Sequence, residues 1–109
     1  YPGLTSSRWH EIAERQFEKG YGGILTIRVG SREKAFALIN NLTIAYKLSN
    51  IGDVRTLVIH PASTISLHST EAQREDAGVF EDLIRISVGI EDIEDLKADF
   101  AQAIETISK

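Results

Sequence analysis

The chain has 109 residues, of which 42% are hydrophobic and 26% charged, with a formal net charge of −4. That is ordinary usage for one globular domain with a modest core of its own, and an acidic chain with scattered Lys and Arg lacks the basic face a nucleic-acid backbone requires. The absence of cysteine rules out disulfides and thiolate chemistry and fits a reducing, cytoplasmic setting; no apolar run approaches the roughly 20 residues of a membrane-spanning helix, and no secretory pattern opens the chain.

The lead-in YPGLTSS (1–7) is turn-like around Pro2-Gly3, with Ser6 or Ser7 as a candidate N-cap. From Arg8 to Lys19, Trp9, Ile12, Ala13 and Phe17 share one helical face, and Gly20 stands where that helix would end. GGILTIRV (22–29) reads as a strand with Leu25, Ile27 and Val29 toward a core. Ser31 can cap a second helix, through about Ala45, with Ala35, Leu38, Ile39 and Leu42 as its stripe. KLSNIGD (47–53) is a short extended piece closed by a Gly-Asp turn, TLVIHP (56–61) is an apolar strand stopped by proline, and ASTISLHS (62–69) is a polar connection. Thr70 and Gln73 have capping-box spacing and Gly78 is a stop, which predicts a short helix over 70–77. Residues 82–89 form a strand in which Ile84, Ile86 and Val88 alternate with Leu83, Arg85 and Ser87. From Asp92 to about Ile107, the apolar residues Ile93, Leu96, Phe100, Ala103, Ile104 and Ile107 fall at steps of three and four, a further helix.

The order α-β-α-β-β-α-β-α predicts a single domain over 1–109. Its fold would be an α+β two-layer sandwich, with a small, mostly antiparallel four-stranded sheet covered by helices on one face. No internal repeat, low-complexity run or linker interrupts it. The other face would carry Leu83, Arg85 and Ser87, joined by Val58 and His60 if Leu57 and Ile59 point inward. Such a face is too apolar in part for water and should meet another domain or chain.

Arg85 is the residue that stands out, a permanent cation at the centre of an apolar strand. One reading is a snorkelling arginine paired with a local carboxylate. The other is a carboxylate clamp: a planar guanidinium makes two parallel charge-assisted bonds to a carboxylate, a geometry that Lys cannot copy. The small Ser87 and Gly89 beyond it would let a ligand approach. The remaining candidates read as structural. His10, His60 and His68 match no metal spacing. His60, at a strand end before Pro61, reads as a hydrogen-bonded structural residue. Ser63, Thr64, Ser66, Ser69 and Thr70 have no nucleophile elbow and read as turn and cap hydroxyls. Gly20, Gly22 and Gly23 do not make a phosphate loop, and the acidic run EDIEDLKAD reads as a solvated helix start that suits the helix dipole.

Four segments taken together carry a resemblance. YPGL (1–4), GYGGILTIRV (20–29), NIGDVRTLVIHPAST (50–64) and EDAGVFEDLIRISVGIEDIEDLKADF (75–100) resemble, in this order and spacing, the C-terminal domain of the Cys/Met-metabolism, pyridoxal-phosphate-dependent enzymes. The resemblance runs over essentially the whole chain. NIGD, where γ-synthases and γ-lyases typically show SLG, is similar to the O-acetylhomoserine sulfhydrylase branch, and so is VIHPAST. What the resemblance implies is a division of labour. A large N-terminal domain would carry the Schiff-base lysine and the phosphate cup of pyridoxal 5′-phosphate. The C-terminal domain would hold the α-carboxylate of an amino-acid substrate, through the arginine of R-[IL]-S-x-G-[IL]-E, which falls on Arg85. The residue opening the S-L-G turn assists and falls on Asn50, whose amide can donate as a serine hydroxyl does.

The family pattern usually continues HPAST with Thr-His, whereas Ile65 and Ser66 follow here, which puts any role of that pair in doubt. None of Lys19, Lys34, Lys47, Lys97 and Lys109 sits in an S-x-T-K context. The expectation is therefore a partner domain upstream of Tyr1 in the same polypeptide, a homotetrameric full-length enzyme of methionine biosynthesis, and a fragment that is inactive and holds the cofactor weakly or not at all. Two other classes use the same residues. A stand-alone amino-acid-sensing module would bind its ligand through Arg85, and a dimerisation domain would pair Arg85 across an interface.

Overall fold

Alternation along the strands decides which side of the sheet each residue joins. A computed structural model, describing residues 1–109, contains α1 (His10–Gln16), β1 (Ile24–Arg28), α2 (Arg32–Asn41), β2 (Tyr46–Lys47), β3 (Leu57–Ile59), α3 (Glu71–Asp76), β4 (Leu83–Ser87) and α4 (Ile93–Ser108), with a 3₁₀ turn at Pro61–Ser63. The strands lie in the order β1-β4-β3-β2, with β1/β4 and β4/β3 antiparallel and β2/β3 parallel. The mostly antiparallel α+β sheet is as expected. Ile84 and Ile86 of β4 join Val58, with Leu25 and Ile27 packed alongside, in one core with Ala35, Leu38 and Ile39 of α2 and Ala103 of α4. Burying each such aliphatic side chain contributes roughly 1.5–3 kcal/mol, so the α2–α4 layer over β1, β4 and β3 is what holds the domain.

The register corrects one expectation. Leu57 pairs with Ser87, and Ile59 with Arg85, so Leu57 and Ile59 share the helix-free face with Arg85, and Val58 points into the core. Three apolar residues in a row give no alternation to read, and only the pairing with β4 settles their direction. Leu57 and Ile59 are nonetheless buried.

The helix ends follow the expected chemistry with two exceptions. Ser31 Oγ accepts the Lys34 N–H, Thr70 and Gln73 form a reciprocal capping box, and the Asp92 carboxylate accepts the N–H groups of Glu94 and Asp95. α2, however, ends at Asn41 rather than near Ala45, because Leu42 turns extended. Asp99 on α4 explains the stop. Its carboxylate accepts the N–H groups of Thr43 and Ile44 at 2.9 Å each and the Thr43 hydroxyl at 2.8 Å. Those donors are thus taken out of the helix and tied to α4. Asp99 is 4% exposed, so the acidic run that reads as a solvated helix start ends on a buried structural acceptor.

α1 is the second exception, shorter than the expected 8–19. Only Ala13 is buried, while Trp9, Ile12 and Phe17 are exposed instead of joining the core. The N-terminal segment is held to the residues before β1 by the Tyr1 hydroxyl donating to the Gly22 carbonyl at 2.8 Å and by Tyr1 and His10 packing on Tyr21.

Candidate anion-binding site around Arg85

β4 is paired on both sides, with Arg85 opposite Thr26 of β1 and Ile59 of β3. Its neighbours Ile84 and Ile86 are locked in the core, so the arginine side chain leaves on the helix-free face from a backbone with little freedom. It is half-buried. Nη2 donates to the Ser49 carbonyl at 2.6 Å and lies 3.5 Å from the Asn50 carbonyl. Nε is buried with no hydrogen-bond partner. The ion pairs of the chain are His10–Glu14, Arg28–Asp82, Arg32–Glu81, Arg74–Glu81 and Lys97–Glu94, and none involves Arg85. The reading of Arg85 as an arginine paired with a local carboxylate therefore fails.

A buried, unpartnered donor on a charged group costs about 1–3 kcal/mol or more, and native structures rarely leave one without a reason. Two carbonyls orient the guanidinium without neutralising it, so its charge has no acidic partner within the chain. A carboxylate matches this donor set because it accepts two parallel N–H bonds.

Asn50 reaches Arg85 through its backbone carbonyl, and its side chain is exposed. The Ser49 carbonyl is the closer contact, and a sequence reading misses it because backbone oxygens carry no residue signature. Both belong to loop 48–56, which is stitched to the segment after β4. Gly52 N–H donates to Ser87 Oγ at 3.3 Å, and Ile90 N–H to the Val54 carbonyl at 2.9 Å. Thr56 donates through N–H and hydroxyl to the two Glu91 oxygens at 2.6 and 2.8 Å, and its Oγ1 accepts the Gly89 N–H at 2.9 Å. Gly89 passes so close to the Arg55 and Val54 backbone that a Cβ there would collide with it. Burial works against the Glu91 charge, but the Thr56 donors outweigh it and hold the carboxyl below its ordinary range. Glu91, first residue of the acidic run, is thus a second structural acceptor rather than a solvated one.

The other sequence candidates lie apart. His60 is buried, with Nε2 2.7 Å from the Glu81 carbonyl. That nitrogen must carry a proton, and Nδ1 lies 2.8 Å from the Ser63 hydroxyl. Both ring nitrogens are used, as a structural histidine requires. Ile65 is exposed and Ser66 N–H donates to the Pro61 carbonyl, so both belong to the turn after β3. Lys19, Lys34, Lys47, Lys97 and Lys109 are all exposed, with Lys47 Nζ on Asn40 and Lys97 Nζ on Glu94. An apolar hollow of about 300 Å³ lies between β1, β4 and α4 among Leu25, Ile27, Ile86, Leu96 and Phe100, on the side of the sheet away from Arg85. No helix is long and apolar enough to cross a membrane.

The chain is 45% identical over 106 residues to a homocysteine synthase of Schizosaccharomyces pombe, covering 96% of this chain and 25% of that protein. It is 40% identical over 108 residues to an L-methionine gamma-lyase of Fusobacterium nucleatum, covering 98% and 27% respectively. A solved structure from Campylobacter jejuni, described as an O-acetylhomoserine (thiol)-lyase carrying a pyridoxyl-lysine phosphate, matches the fold with a TM-score of 0.93 at 35% identity, covering 96% of this chain and 25% of that one. The chain thus spans about a quarter of the length of the curated relatives it matches. Residues 1–105 match the model of the Cys/Met metabolism PLP-dependent enzymes, and the chain belongs to that family.

Proposed function

We propose that residues 1–109 are the substrate-carboxylate-binding domain of a pyridoxal-phosphate-dependent O-acetylhomoserine sulfhydrylase, which converts O-acetylhomoserine and sulfide to homocysteine and acetate. The observation that carries this reading is Arg85, a half-buried cation without an acidic partner in its own chain and with a buried, unused Nε. Arg85 would take the amino acid's α-carboxylate on the guanidinium donors that the chain leaves free, while the Ser49 carbonyl keeps Nη2 oriented. The Asn50 amide, exposed at the same turn, would add a donor to the carboxylate. Held at that end, the substrate presents its Cα–H in one orientation, which is a positioning contribution to the rate. The NIGD turn at 50–53 favours the sulfhydrylase branch over the γ-synthases and γ-lyases. The family match favours an enzyme part over a stand-alone sensing or dimerisation module.

We expect the chain's own residues not to form a seat for the cofactor: pyridoxal phosphate requires a lysine for its aldehyde, and none of the five lysines here sits in an S-x-T-K context. We assign that lysine and the electron-sink chemistry to the larger remainder of the polypeptide, with which this domain would share the site, within a cytoplasmic homotetramer. The domain alone would then be inactive. The test is Arg85→Ala in the full-length enzyme, assayed against O-acetylhomoserine. KM for the amino acid should rise strongly, with kcat falling as well if alignment is lost. An unchanged KM would reject the assignment.

A further inference from the structure

Loop 48–56 contains the two carbonyls that orient Arg85, yet it has no regular secondary structure. Its geometry must come from outside itself. At its far end Thr56, 1% exposed, is held by three hydrogen bonds that close a ring with the segment following β4. In that ring Glu91 takes both Thr56 donors, and the Thr56 oxygen takes the Gly89 N–H. Thr56 also sets the loop's near end, because its carbonyl accepts the Tyr46 N–H at 2.9 Å, and Tyr46 begins the strand that leads into Ser49. Both ends of the loop are therefore referenced to one residue, and that residue is referenced to β4, the strand that carries Arg85.

We propose that Glu91 is a positioning residue for substrate: through Thr56 it fixes the Ser49–Asn50 turn against Arg85 and so sets the orientation in which the guanidinium meets a carboxylate. The inference rests on the reading of Arg85 as the carboxylate clamp. Two oxygens are needed because Thr56 presents two donors. Gln at 91 keeps the size and one acceptor but loses the second, and Val at 56 keeps the shape but removes the hydroxyl that bridges Glu91 and Gly89. Either change loosens the turn without touching Arg85 itself, and a displacement of about 1 Å is enough to matter for a bidentate contact.

The experiment is a cycle in the full-length enzyme, with wild type, Glu91→Gln, Arg85→Lys and the double variant, followed by steady-state kinetics against O-acetylhomoserine and by thermal midpoints. Glu91→Gln should raise KM on the order of tenfold with kcat little changed, and add almost nothing in the Arg85→Lys background, where the fork it positions is already gone. Thr56→Val should shift KM in the same direction, and it decides the matter if Glu91→Gln fails to fold. A lowered thermal midpoint with KM unchanged in a folded variant overturns the proposal, since Glu91 would then serve stability alone. Full additivity with Arg85→Lys overturns it as well. An Arg85→Ala enzyme with normal KM removes the clamp reading and this inference with it, a result distinct from a silent Glu91→Gln beside a damaging Arg85→Ala.

Discussion

Arg28 and Arg85 project from the same face of the same sheet, and they meet opposite fates. Arg28 pairs with Asp82 at 2.8 Å, lies 4.1 Å over the Phe80 ring and is exposed at the edge strand. Arg85 sits one strand further in, half-buried, and meets only carbonyls. The first is satisfied inside its chain and has nothing left to recognise. The second keeps its charge uncompensated, which is the condition for recognising something else. The partner, not the accessibility, separates the satisfied arginine from the one we propose for binding.

That contrast can be broken most directly by removing each arginine in the full-length enzyme. Losing a charge-assisted, two-bond contact should cost Arg85→Ala on the order of 10²-fold or more in kcat/KM, while Arg28→Ala should leave kcat/KM within about threefold. Equal losses would erase the distinction. Arg85→Lys should recover only part of the activity, because an ammonium cannot reproduce the fork.

The next largest effect lies in the helix layer, where Asp99 acts as a satisfied buried anion. Asp99→Ala leaves the Thr43 and Ile44 N–H groups without their acceptor and should destabilise the protein by about 3 kcal/mol, read from denaturation, with the KM of the remaining folded enzyme unchanged. Asp82→Asn, which keeps one acceptor and so cannot serve both Arg28 and the Gly30 N–H, should cost less, about 1–2 kcal/mol, and likewise spare KM. If Asp82→Asn instead weakened substrate binding, Arg28 would belong to the site after all.

The smallest effect is a pH dependence. Burial opposes the charges of Asp82, Glu91 and Asp99. In each case the hydrogen-bond donors more than compensate: Arg28 and Gly30 for Asp82, Thr56 for Glu91, and Ile44, Thr43 and Gln102 for Asp99. All three carboxyls are therefore held below their ordinary values. A depressed folded-state pKa gives stability that is complete above the unfolded value, about 4, and is lost as pH falls through the lowered folded values. The thermal midpoint contributed by these groups should be flat from about pH 6 to 8 and decline below about pH 4. A midpoint that rises on acidification through that range would contradict the assignment of all three as satisfied anions.

Much of this was legible in the residues. The 93–108 helix shows its period in Leu96, Phe100 and Ala103, and the caps at Ser31 and Thr70 announce themselves because capping depends on a side chain and its next three neighbours. Arg85 could be singled out because a charge in an apolar alternating run violates a local pattern. Other features could not be read. Trp9, Ile12 and Phe17 share a helical face, but a period says only which residues point together, not whether a core lies opposite them. Glu91 and Asp99 look like solvated members of an acidic run, and only their distant partners, Thr56 and Thr43, make them structural.

The sequence by itself determined the order of the elements, the caps at Ser31 and Thr70, the α+β class and the identity of the odd cation, since each depends on interactions within a few residues along the chain. The tertiary structure alone decided that Val58 faces the core, that Arg85 has no acid to pair with, and that Glu91 ties the loop of Asn50 to β4. Those facts depend on pairings across tens of residues, such as Ile59 with Arg85 and Thr56 with Glu91, and no local propensity encodes which of many carboxylates or carbonyls will arrive beside a given side chain.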